Sequence, residues 1–333
     1  MVRSLAIARR TFLQLTAGAA AWPASSRIVR AQSYPSRQIT MIVPFAAGGP
    51  ADTVARIMAE RMRASLGQTV IIENVAGAGG SIGVGRIARV APDGYTFGMG
   101  ISSTQVVNPV IYSLSYDVQT DFEPIALLAS NPHFIVAKKA NPANDLKTFI
   151  AWLKANPDKA TAGTAGNGSP PHLGAVFFQH ATGTRFGFVP YRGGGPAMQD
   201  LVAGQIDLMI DAPSTVLPQL RAGTIKVHAL AAKSRLASAP DVPTTDEAGL
   251  PGFHFSAWFA LFAPKGMPKP MIDRLNAAAV ESLADSGVRT RLAEFGLDIF
   301  PREQQTPQAV TALHKAEIET WWPIIKAAKI KGD

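Results

Sequence analysis

The chain has 333 residues, of which 47% are hydrophobic and 17% charged, so it is a globular protein long enough for two α/β lobes and not a disordered one. Its formal net charge of +8 arises largely from residues 1–31, which contain five arginines and no acid, and the remainder lacks the basic patches of a nucleic-acid-binding protein. Cysteine is absent, which excludes thiolate catalysis and cysteine-ligated zinc, and no apolar stretch reaches the roughly 18 residues of a membrane-spanning helix.

The first thirty residues have the pattern of an export signal. Arg9-Arg10-Thr-Phe-Leu-Gln14 matches the twin-arginine pattern, and a small and apolar stretch follows from Leu15 to Trp22. Val29-Arg30-Ala31 offers a cleavage site, which predicts a periplasmic protein that begins near Gln32. An ordinary Sec signal, in which the paired arginines are its charged region, gives the same location.

From residue 39 onward, strand-like and helix-like runs alternate. The first block has predicted strands at 39–45, 69–75 and 95–101 and predicted helices at 52–66 and 81–89. Two extended runs follow at 125–129 and 133–139. The second block has predicted strands at 161–165, 186–191, 207–211 and 226–232 and helices at 148–155, 172–182, 196–204 and 214–222. An extended run at 253–263 and helices at 269–285 and 306–328 close the chain. Such alternation predicts an α/β fold, with mainly parallel sheets covered by helices on both faces.

Two such blocks joined by two extended segments predict two lobes connected by a double-strand hinge, with the C-terminal helices returning to the first lobe. We expect domain 1 to comprise residues 32–131 and 256–333, and domain 2 residues 132–255. Ligands of open α/β sheets bind beyond the carboxyl ends of the strands. Six glycine-rich or polar turns follow the predicted strands and should face one cleft: PFAAGGPAD (44–52), NVAGAGGSIG (74–83), GISST (100–104), AGNGSPP (165–171), YRGGGP (191–196) and DAP (211–213).

One motif raises an enzymatic alternative. Gly79-Gly80-Ser81-Ile82-Gly83 matches the G-x-S-x-G pattern of serine hydrolases, with Asp211 and His254 in the required order. A nucleophile elbow needs its serine directly after a strand, whereas the nearest strand residues lie about nine positions upstream. The G-x-G-x-x-A match at Gly83 and Gly85 lies inside a predicted helix, which indicates close helix packing and not dinucleotide binding.

The six histidines show no metal-ligand spacing, so we expect neither a metal nor a cofactor. The glycine-rich turns instead favour binding of an anion, because a turn that opens a helix exposes unpaired backbone N–H groups at the positive end of the helix dipole. Arg192 is the only cation in the six turns, so backbone groups and the hydroxyls of Ser81, Ser102, Ser103, Thr104 and Ser169 would bind a small carboxylate reversibly. Asp211 either faces the cleft or helps to cap the helix after it, and Asp52 is expected to cap its own helix.

Five motifs in this order carry a family resemblance: PSRQITMIVPFAAGGPADTVAR, ENVAGAGGSIGVG, APDGYTFGMG, VPYRGGGPAMQDLVAGQIDLM and SAWFALFAPKGMP. From about residue 33 to the end, the chain resembles the extracytoplasmic solute-binding proteins of tripartite tricarboxylate transporters, often called Bug proteins. The resemblance implies a type II-like periplasmic binding protein that closes over one small carboxylated solute. It also implies a monomer without enzymatic activity that delivers the solute to a two-subunit membrane permease. A ligand sensor that acts on another membrane partner is the remaining alternative.

The resemblance also implies which residues bind the solute. In that family the first βα loop and the glycine-rich loop grip a carboxyl group, partly through bridging waters, and loops of the second lobe complete the site. Gly100–Thr104 departs from many relatives, since Ile101 and a missing histidine leave the solute's far end undefined, whereas the position of Asp211 is acidic in many relatives. No particular acid follows from these residues. The predicted ligand-binding residues are Phe45, Ala47, Gly49, Gly79, Gly80, Ser81, Ser102, Ser103, Thr104, Asn167, Gly168, Ser169, Tyr191, Gly194, Gly195 and Asp211.

Overall fold

The computed structural model describes residues 34–327. The predicted export signal at residues 1–31 lies outside the described residues. Tyr34 belongs to an N-terminal unit, Met1–Tyr34, and everything below concerns the compact unit that begins at Pro35. Within residues 34–327, no helix is both long enough and apolar enough to span a bilayer.

The described residues form eleven strands and ten α-helices, besides two short 3-10 helices and one π-helical turn. The strands are β1 (Ile39–Val43), β2 (Val70–Asn74), β3 (Thr96–Ile101), β4 (Phe122–Pro132), β5 (Phe134–Lys138), β6 (Thr161–Thr164), β7 (Gly187–Pro190), β8 (Leu208–Asp211), β9 (Ile225–Leu230), β10 (Ser256–Pro264) and β11 (Asp298–Ile299). The helices are α1 (Pro50–Leu66), α2 (Ser81–Arg89), α3 (Asn108–Ile111), α4 (Leu146–Ala155), α5 (Pro170–Thr182), α6 (Gly194–Val202), α7 (Pro213–Ala222), α8 (Lys269–Ala284), α9 (Ser286–Glu294) and α10 (Pro307–Ala327).

Two sheets define two lobes, as predicted. The first lobe is built on a six-stranded sheet with the order β11-β4-β10-β3-β1-β2, and the second on a five-stranded sheet with the order β7-β6-β8-β5-β9. Both sheets are mixed, because β10 runs antiparallel to β3 and β4, and β5 runs antiparallel to β8 and β9. The strands followed by the predicted turns, β1 to β3 and β6 to β8, run parallel within each lobe. Their carboxyl ends therefore lie at one edge of each sheet.

The chain crosses between the lobes twice, and the two crossing segments pair with each other. The first passes from β4 through His133 into β5, and the second passes through Phe255 into β10. His133 N donates to Phe255 O over 3.0 Å, while Ala231 of the second lobe bonds both segments through its N–H and its carbonyl group. Ser256 pairs with Pro132 at the end of β4. The crossing is thus a paired double strand, which confirms the predicted hinge.

Helices cover both faces of the first sheet. The predicted apolar stripe of α1 is buried, with Val54, Met58 and Met62 fully inaccessible, and packs with α8 and α9 against one face. Helices α2 and α10 pack against the other face. A buried side chain of this size stabilises the fold by about 1.5–3 kcal/mol, so each stripe fixes its helix on the sheet.

Gly83 explains how closely α2 approaches the sheet. A Cβ on Gly83 would lie 2.6 Å from both Pro44 Cα and Val75 O, which are backbone atoms at the ends of β1 and β2. Only glycine fits this approach without moving the backbone, so the helix start is held next to both loops. The prediction of close helix packing at Gly83 is confirmed.

Candidate ligand-binding site

The β1–α1 loop is held in place by Asp52. Its carboxylate accepts hydrogen bonds from Gly48 N at 2.8 Å, Asn74 Nδ2 at 2.9 Å and Arg56 Nε at 2.8 Å. Burial alone would raise the pKa of Asp52, but these bonds and the charge of Arg56 outweigh it and lower the pKa to about 2. Asp52 therefore does not cap α1, whose N-cap is Gly49, and instead fixes the loop before the helix.

The start of α1 offers backbone donors. Pro50 occupies the first position and has no N–H, whereas the N–H groups of Ala51 and Asp52 lie in the first turn, where no helical carbonyl can accept from them. Ala47 is exposed and Gly49 and Phe45 are half-buried, so the predicted residues of this loop border the open side of the turn. The positive end of the α1 dipole lies at the same place.

The glycine-rich loop uses much of its own backbone. Gly80 N donates to Gly77 O, and Ser81 N donates to Ala78 O, which forms a tight turn before α2. Gly79 and Gly80 have φ angles of +60° and +93°, which side chains rarely tolerate. Two backbone donors predicted for a ligand are therefore engaged within the turn, and the Ser81 hydroxyl is the polar group that remains at the helix start.

Asn108 orients that hydroxyl, and sequence reasoning missed this residue. Asn108 Nδ2 donates to Gly79 O and to Ser81 Oγ, both over 2.9 Å, and the residue is only 2% exposed. An amide nitrogen cannot accept, so the Ser81 proton points elsewhere. It can be donated to a solute or to the hydroxyl of Tyr116, a residue that interacts with Ser81 and whose pKa is raised by burial. An Asn-Pro dipeptide such as Asn108-Pro109 is typical of a turn, but nothing in its spacing links it to the glycine-rich loop.

The third loop of the first lobe meets the other two at Gly80. A Cβ on Gly80 would lie 2.8 Å from Thr104 Cγ2 and 3.0 Å from Phe45 Cζ. Thr104 is fully buried, and its hydroxyl donates to Ile101 O and accepts from Ile101 N, so its side chain holds the end of β3. Ser103 is buried and begins a π-helical turn over Ser103–Val107 that the sequence did not predict, and Ser102, the residue before this turn, is half-buried.

In the second lobe, two predicted side chains hold their own loops. Ser169 is the N-cap of α5, and its Oγ donates to Gly166 O over 2.6 Å. The Tyr191 hydroxyl donates a hydrogen bond to Oδ2 of Asp200 in α6 over 2.7 Å, so the Tyr191 proton is already used within the second lobe. Gly168 N donates to His172 Nδ1, while Asn167 is exposed at the tip of the loop.

Asp211 joins the starts of α6 and α7. Its Oδ1 accepts from Ala212 N and its Oδ2 from Thr215 Oγ1, both over 2.8 Å, and a Cβ on Gly194 would lie 2.7 Å from Oδ2. The residue is 3% exposed, and burial raises its pKa to about 6 although both hydrogen bonds act in the opposite direction. Gly195, which follows Gly194 in α6, is exposed.

Loops of the two lobes face each other across the hinge. Gly48, Pro50 and Thr53 of the first lobe share a cavity of 170 Å³ with Ser214 of the second lobe and Asn131 of the first crossing segment. Ser102 and Pro170 line a smaller cavity of 20 Å³. A Cβ on Gly168 would lie 2.7 Å from Ile111 Cδ1, so α3 touches the second lobe directly.

A larger cavity of 840 Å³ is lined by β11 of the first lobe and the segment after β9 of the second, and it shares Ser256, Glu317 and Trp321 with the 20 Å³ cavity. None of the sixteen predicted ligand-binding residues lines this cavity or the 170 Å³ cavity, and Ser102 lines the 20 Å³ one. Glu317 of α10 contributes to its wall, and burial raises the pKa of this carboxyl to about 7, although Trp321 Nε1 donates to it over 3.0 Å.

The groups of the hydrolase alternative are not assembled. Ser81 Oγ is bonded by Asn108, Asp211 is bonded within α7, and His254 Nε2 pairs with Asp246 over 2.9 Å beside the larger cavity. Within residues 34–327, no group of three or more histidine or acidic side chains could hold a metal ion.

Two lobes joined by a paired double strand, with helix starts from both lobes at a shared cavity, define a solute-binding protein of the periplasmic binding-protein class. The chain belongs to the tripartite tricarboxylate transporter family of receptors, whose family model matches residues 54–330. This confirms the family resemblance and identifies the protein as a receptor and not an enzyme, which sets the hydrolase alternative aside.

Solved structures agree with this assignment. The periplasmic binding protein BugD is 38% identical, with a TM-score of 0.75 over 90% of this chain and 100% of that one. MatC from Rhodopseudomonas palustris, with bound malate, is 40% identical, with a TM-score of 0.75 over 88% of this chain and 100% of that one. Another R. palustris protein, with adipate, is 32% identical, with a TM-score of 0.77 over 90% of this chain and 99% of that one.

Proposed function

We propose that this protein is a periplasmic receptor that captures a small carboxylate between its two lobes and delivers it to a membrane permease. The family description of a transporter receptor supports this role, and two of its structural relatives bind malate and adipate. Both of those ligands are small carboxylates, so we infer the same class for this chain.

The observation that carries the proposal is the placement of two helix starts at one cavity. The N-terminal ends of α1 and α7 reach it from opposite lobes, through Pro50 and Ser214. Each charge-assisted hydrogen bond from a backbone N–H to a carboxylate is worth roughly 1.5–3 kcal/mol. Two or three of them hold a carboxylate without any lysine or arginine, and Arg192 is exposed in its turn.

We propose different roles for the sixteen predicted residues. The Ser81 hydroxyl and the backbone around Ala47, Gly49 and Gly195 would contact the solute. Several predicted side chains are engaged within their own loops and would shape the site through the backbone that they hold: Thr104, Ser169, Tyr191 and Asp211. Phe45, Gly79, Gly80, Ser102, Ser103, Asn167, Gly168 and Gly194 would line the cleft around them.

We further propose that residues 32–131 with 256–333, and residues 132–255, move as two bodies about the paired crossing strands. Closure would bury the solute and present a new surface to the permease. The permease would have two subunits, and the receptor would act as a monomer exported with a signal that is cleaved between Ala31 and Gln32.

A thermal-shift screen of the exported protein tests the proposed function. After unfolding and refolding to remove resident ligand, the protein would be mixed with tricarboxylates, dicarboxylates of four to nine carbons, acidic amino acids, aromatic acids and nicotinate. A true ligand at a hundred times its Kd stabilises the fold by roughly 2.7 kcal/mol, which raises Tm by a few degrees. Well-folded protein whose Tm no acid raises would contradict the carboxylate assignment.

A further inference from the structure

A turn of the first lobe touches the start of a helix in the second lobe. Gly296 lies in the turn between α9 and β11, is buried, and has a φ angle of +69°. A Cβ on Gly296 would lie 2.2 Å from Pro213 Cβ and 2.9 Å from Pro213 Cγ. Carbon atoms in ordinary contact are about 3.5–4.0 Å apart, so a methyl group does not fit between this turn and α7.

The turn is fixed to the first lobe. Gly296 N donates to Ala293 O over 2.9 Å and Leu297 N donates to Leu292 O over 3.1 Å, so both N–H groups close the end of α9. Leu292 and Leu297 are buried in the core of the first lobe, and β11 pairs with β4 directly after the turn. The turn therefore moves only with the first lobe.

The start of α7 is fixed to the second lobe in the same way. Pro213 is the first residue of α7, and its ring is closed onto its own backbone nitrogen, so it cannot rotate away as an open side chain can. Asp211 accepts hydrogen bonds from Ala212 N and Thr215 Oγ1, both over 2.8 Å. Leu217, one turn further along α7, is 3% exposed in the core of the second lobe. The start of α7 therefore moves only with the second lobe.

The lobes also touch at a softer point. Ile111 Cδ1 lies 2.7 Å from the Cβ position of Gly168, but this atom is the free end of a side chain and can turn aside. At Gly296 the two surfaces are a backbone turn and a proline ring, and neither of them can turn aside. Of these two contacts, the one at Gly296 therefore limits how closely the lobes approach on its side of the hinge.

The contact borders the cavity that the two lobes share. Phe295 and Leu297, the neighbours of Gly296, line the 170 Å³ cavity together with Ser214, the residue after Pro213. The start of α1 lines the same cavity. A separation of the lobes at Gly296 therefore moves the start of α7 away from the start of α1.

We propose that Gly296 and Pro213 are positioning residues, which form a stop that sets how closely the starts of α1 and α7 approach each other. Neither residue lines the shared cavity, so the stop acts on solute affinity through the spacing of the lobes. When only a fraction of the molecules adopts the closed form, the apparent Kd rises in inverse proportion to that fraction. A larger residue at position 296 should therefore weaken the binding of all acids by one factor. This inference rests on the proposed capture of a carboxylate between the lobes.

Distances between spin labels in the unliganded protein test the stop directly. The chain has no cysteine, so Arg63→Cys in α1 and Arg221→Cys in α7 provide one exposed labelling site in each lobe. Gly296→Ala should lengthen the label distance by at least about 1.5 Å, the difference between 2.2 Å and an ordinary carbon contact. Gly183→Ala is the matched control, because Gly183 has a φ of +65° but no described atom within 4 Å of its Cβ position. It introduces the same backbone strain and should leave the distance unchanged.

Calorimetric titration measures the consequence for the solute. With each acid that binds the natural protein, Gly296→Ala should lower the affinity at least about fivefold, while Gly183→Ala stays within about twofold. The ratio of affinities between any two acids should stay within about twofold of its natural value. Adding Pro213→Gly to Gly296→Ala removes both ring atoms that clash and should restore most of the loss, whereas adding Pro213→Ala keeps Cβ and should not.

An unchanged label distance in Gly296→Ala, a loss confined to some acids, or a loss that Pro213→Gly does not restore would overturn the inference. A shorter distance with tighter binding would also overturn it, because the contact would then lie behind the axis of rotation. If Gly296→Ala does not fold, Pro213→Gly alone carries the test, since loss of the ring should broaden the distribution of label distances and an unchanged distribution would overturn the stop. The distances are measured without solute, so they decide whether the stop exists even if no acid binds. Failure of every acid to bind contradicts the proposed function alone.

Discussion

Asn108 and Ser81 are 27 positions apart in the chain, yet Asn108 Nδ2 lies 2.9 Å from Ser81 Oγ. Because the amide nitrogen only donates, the Ser81 hydroxyl must donate in another direction. The same amide holds Gly79 O, so one side chain fixes both the shape of the glycine-rich loop and the polarity of its serine.

Replacing Ser81 with alanine should weaken solute binding by about 1–3 kcal/mol, as expected for a lost hydrogen bond to a charged group. Asn108→Asp should weaken it by a similar amount, because an ionised carboxylate accepts the Ser81 proton and turns it away from the solute. The two losses should not add in the double variant, since both act through one hydroxyl. Calorimetric titration of the four proteins measures this coupling.

The pH dependence of Asn108→Asp provides a control for simple misfolding. A protonated aspartic acid can donate to Ser81 Oγ, so the affinity of this variant relative to the natural protein should recover as the pH falls. Fully additive losses, or a ratio that does not change with pH, would mean that Asn108 does not act through Ser81.

Asp211→Asn should reduce the pH dependence of stability between about pH 4 and 6. Burial raises the pKa of Asp211 from 3.8 to about 6, so the folded state binds its proton more tightly than the unfolded state does. Stability from this group is therefore highest below pH 4, falls as the pH rises to 6 and stays low above it. A pKa raised to this extent corresponds to a cost on the order of 2–3 kcal/mol near neutral pH.

Urea unfolding at several pH values gives the free energy of unfolding of the natural protein and of Asp211→Asn. The difference between the two values at each pH is the contribution of the Asp211 carboxyl group. The comparison is needed because two histidines also make stability depend on pH. Burial lowers the pKa of His133 and His228 to about 4, so their contribution to the free energy of unfolding decreases as the pH falls below 6.5. If both proteins changed stability in parallel between pH 4 and 6, Asp211 would not be the group responsible.

Gly83→Ala should destabilise the protein by about 1–3 kcal/mol, because the new methyl group would meet backbone atoms of Pro44 and Val75 that cannot move aside easily. Gly187→Ala is the matched control, since no atom lies within 4 Å of its Cβ position and its φ is not left-handed. The control should stay within about 1 kcal/mol of the natural protein. Equal stability of both variants in urea would show that α2 can retreat from the sheet.

Saturation with a solute should make the particle more compact in solution. The paired crossing strands leave rotation of the lobes as the simplest way to bury a ligand, and rotation shortens the largest dimension. Small-angle scattering with and without the best acid measures the radius of gyration. A saturated protein with an unchanged scattering profile would exclude closure.

Local patterns predicted most of the fold. Helix α2 has the predicted bounds of Ser81–Arg89, and α1 begins two residues before its predicted start because Pro50 suits the first helical position. The segment 102–112 was missed, since its apolar valines form a π-helical turn whose spacing matches neither an α-helix nor a strand. β11 has only two residues, too few for a periodic signal.

The candidate site was less accessible from sequence. Glycine-rich turns identified the loops, but the partner of each side chain depends on segments that are distant in the chain. Asp52 was expected to cap α1 and instead bonds Asn74, which belongs to the neighbouring strand. Asn131 reads as one more strand residue in the sequence, whereas in the structure it lines a cavity together with residues of both lobes. The division into domains and the ligand contacts remain predictions.

The large cavity gives the crossing strands a second consequence. Both lobes line the 840 Å³ cavity, and Ser256, Glu317 and Trp321 border both this cavity and the small one at Ser102 and Pro170. A rotation of the lobes about the crossing strands would therefore change the shape of both cavities together.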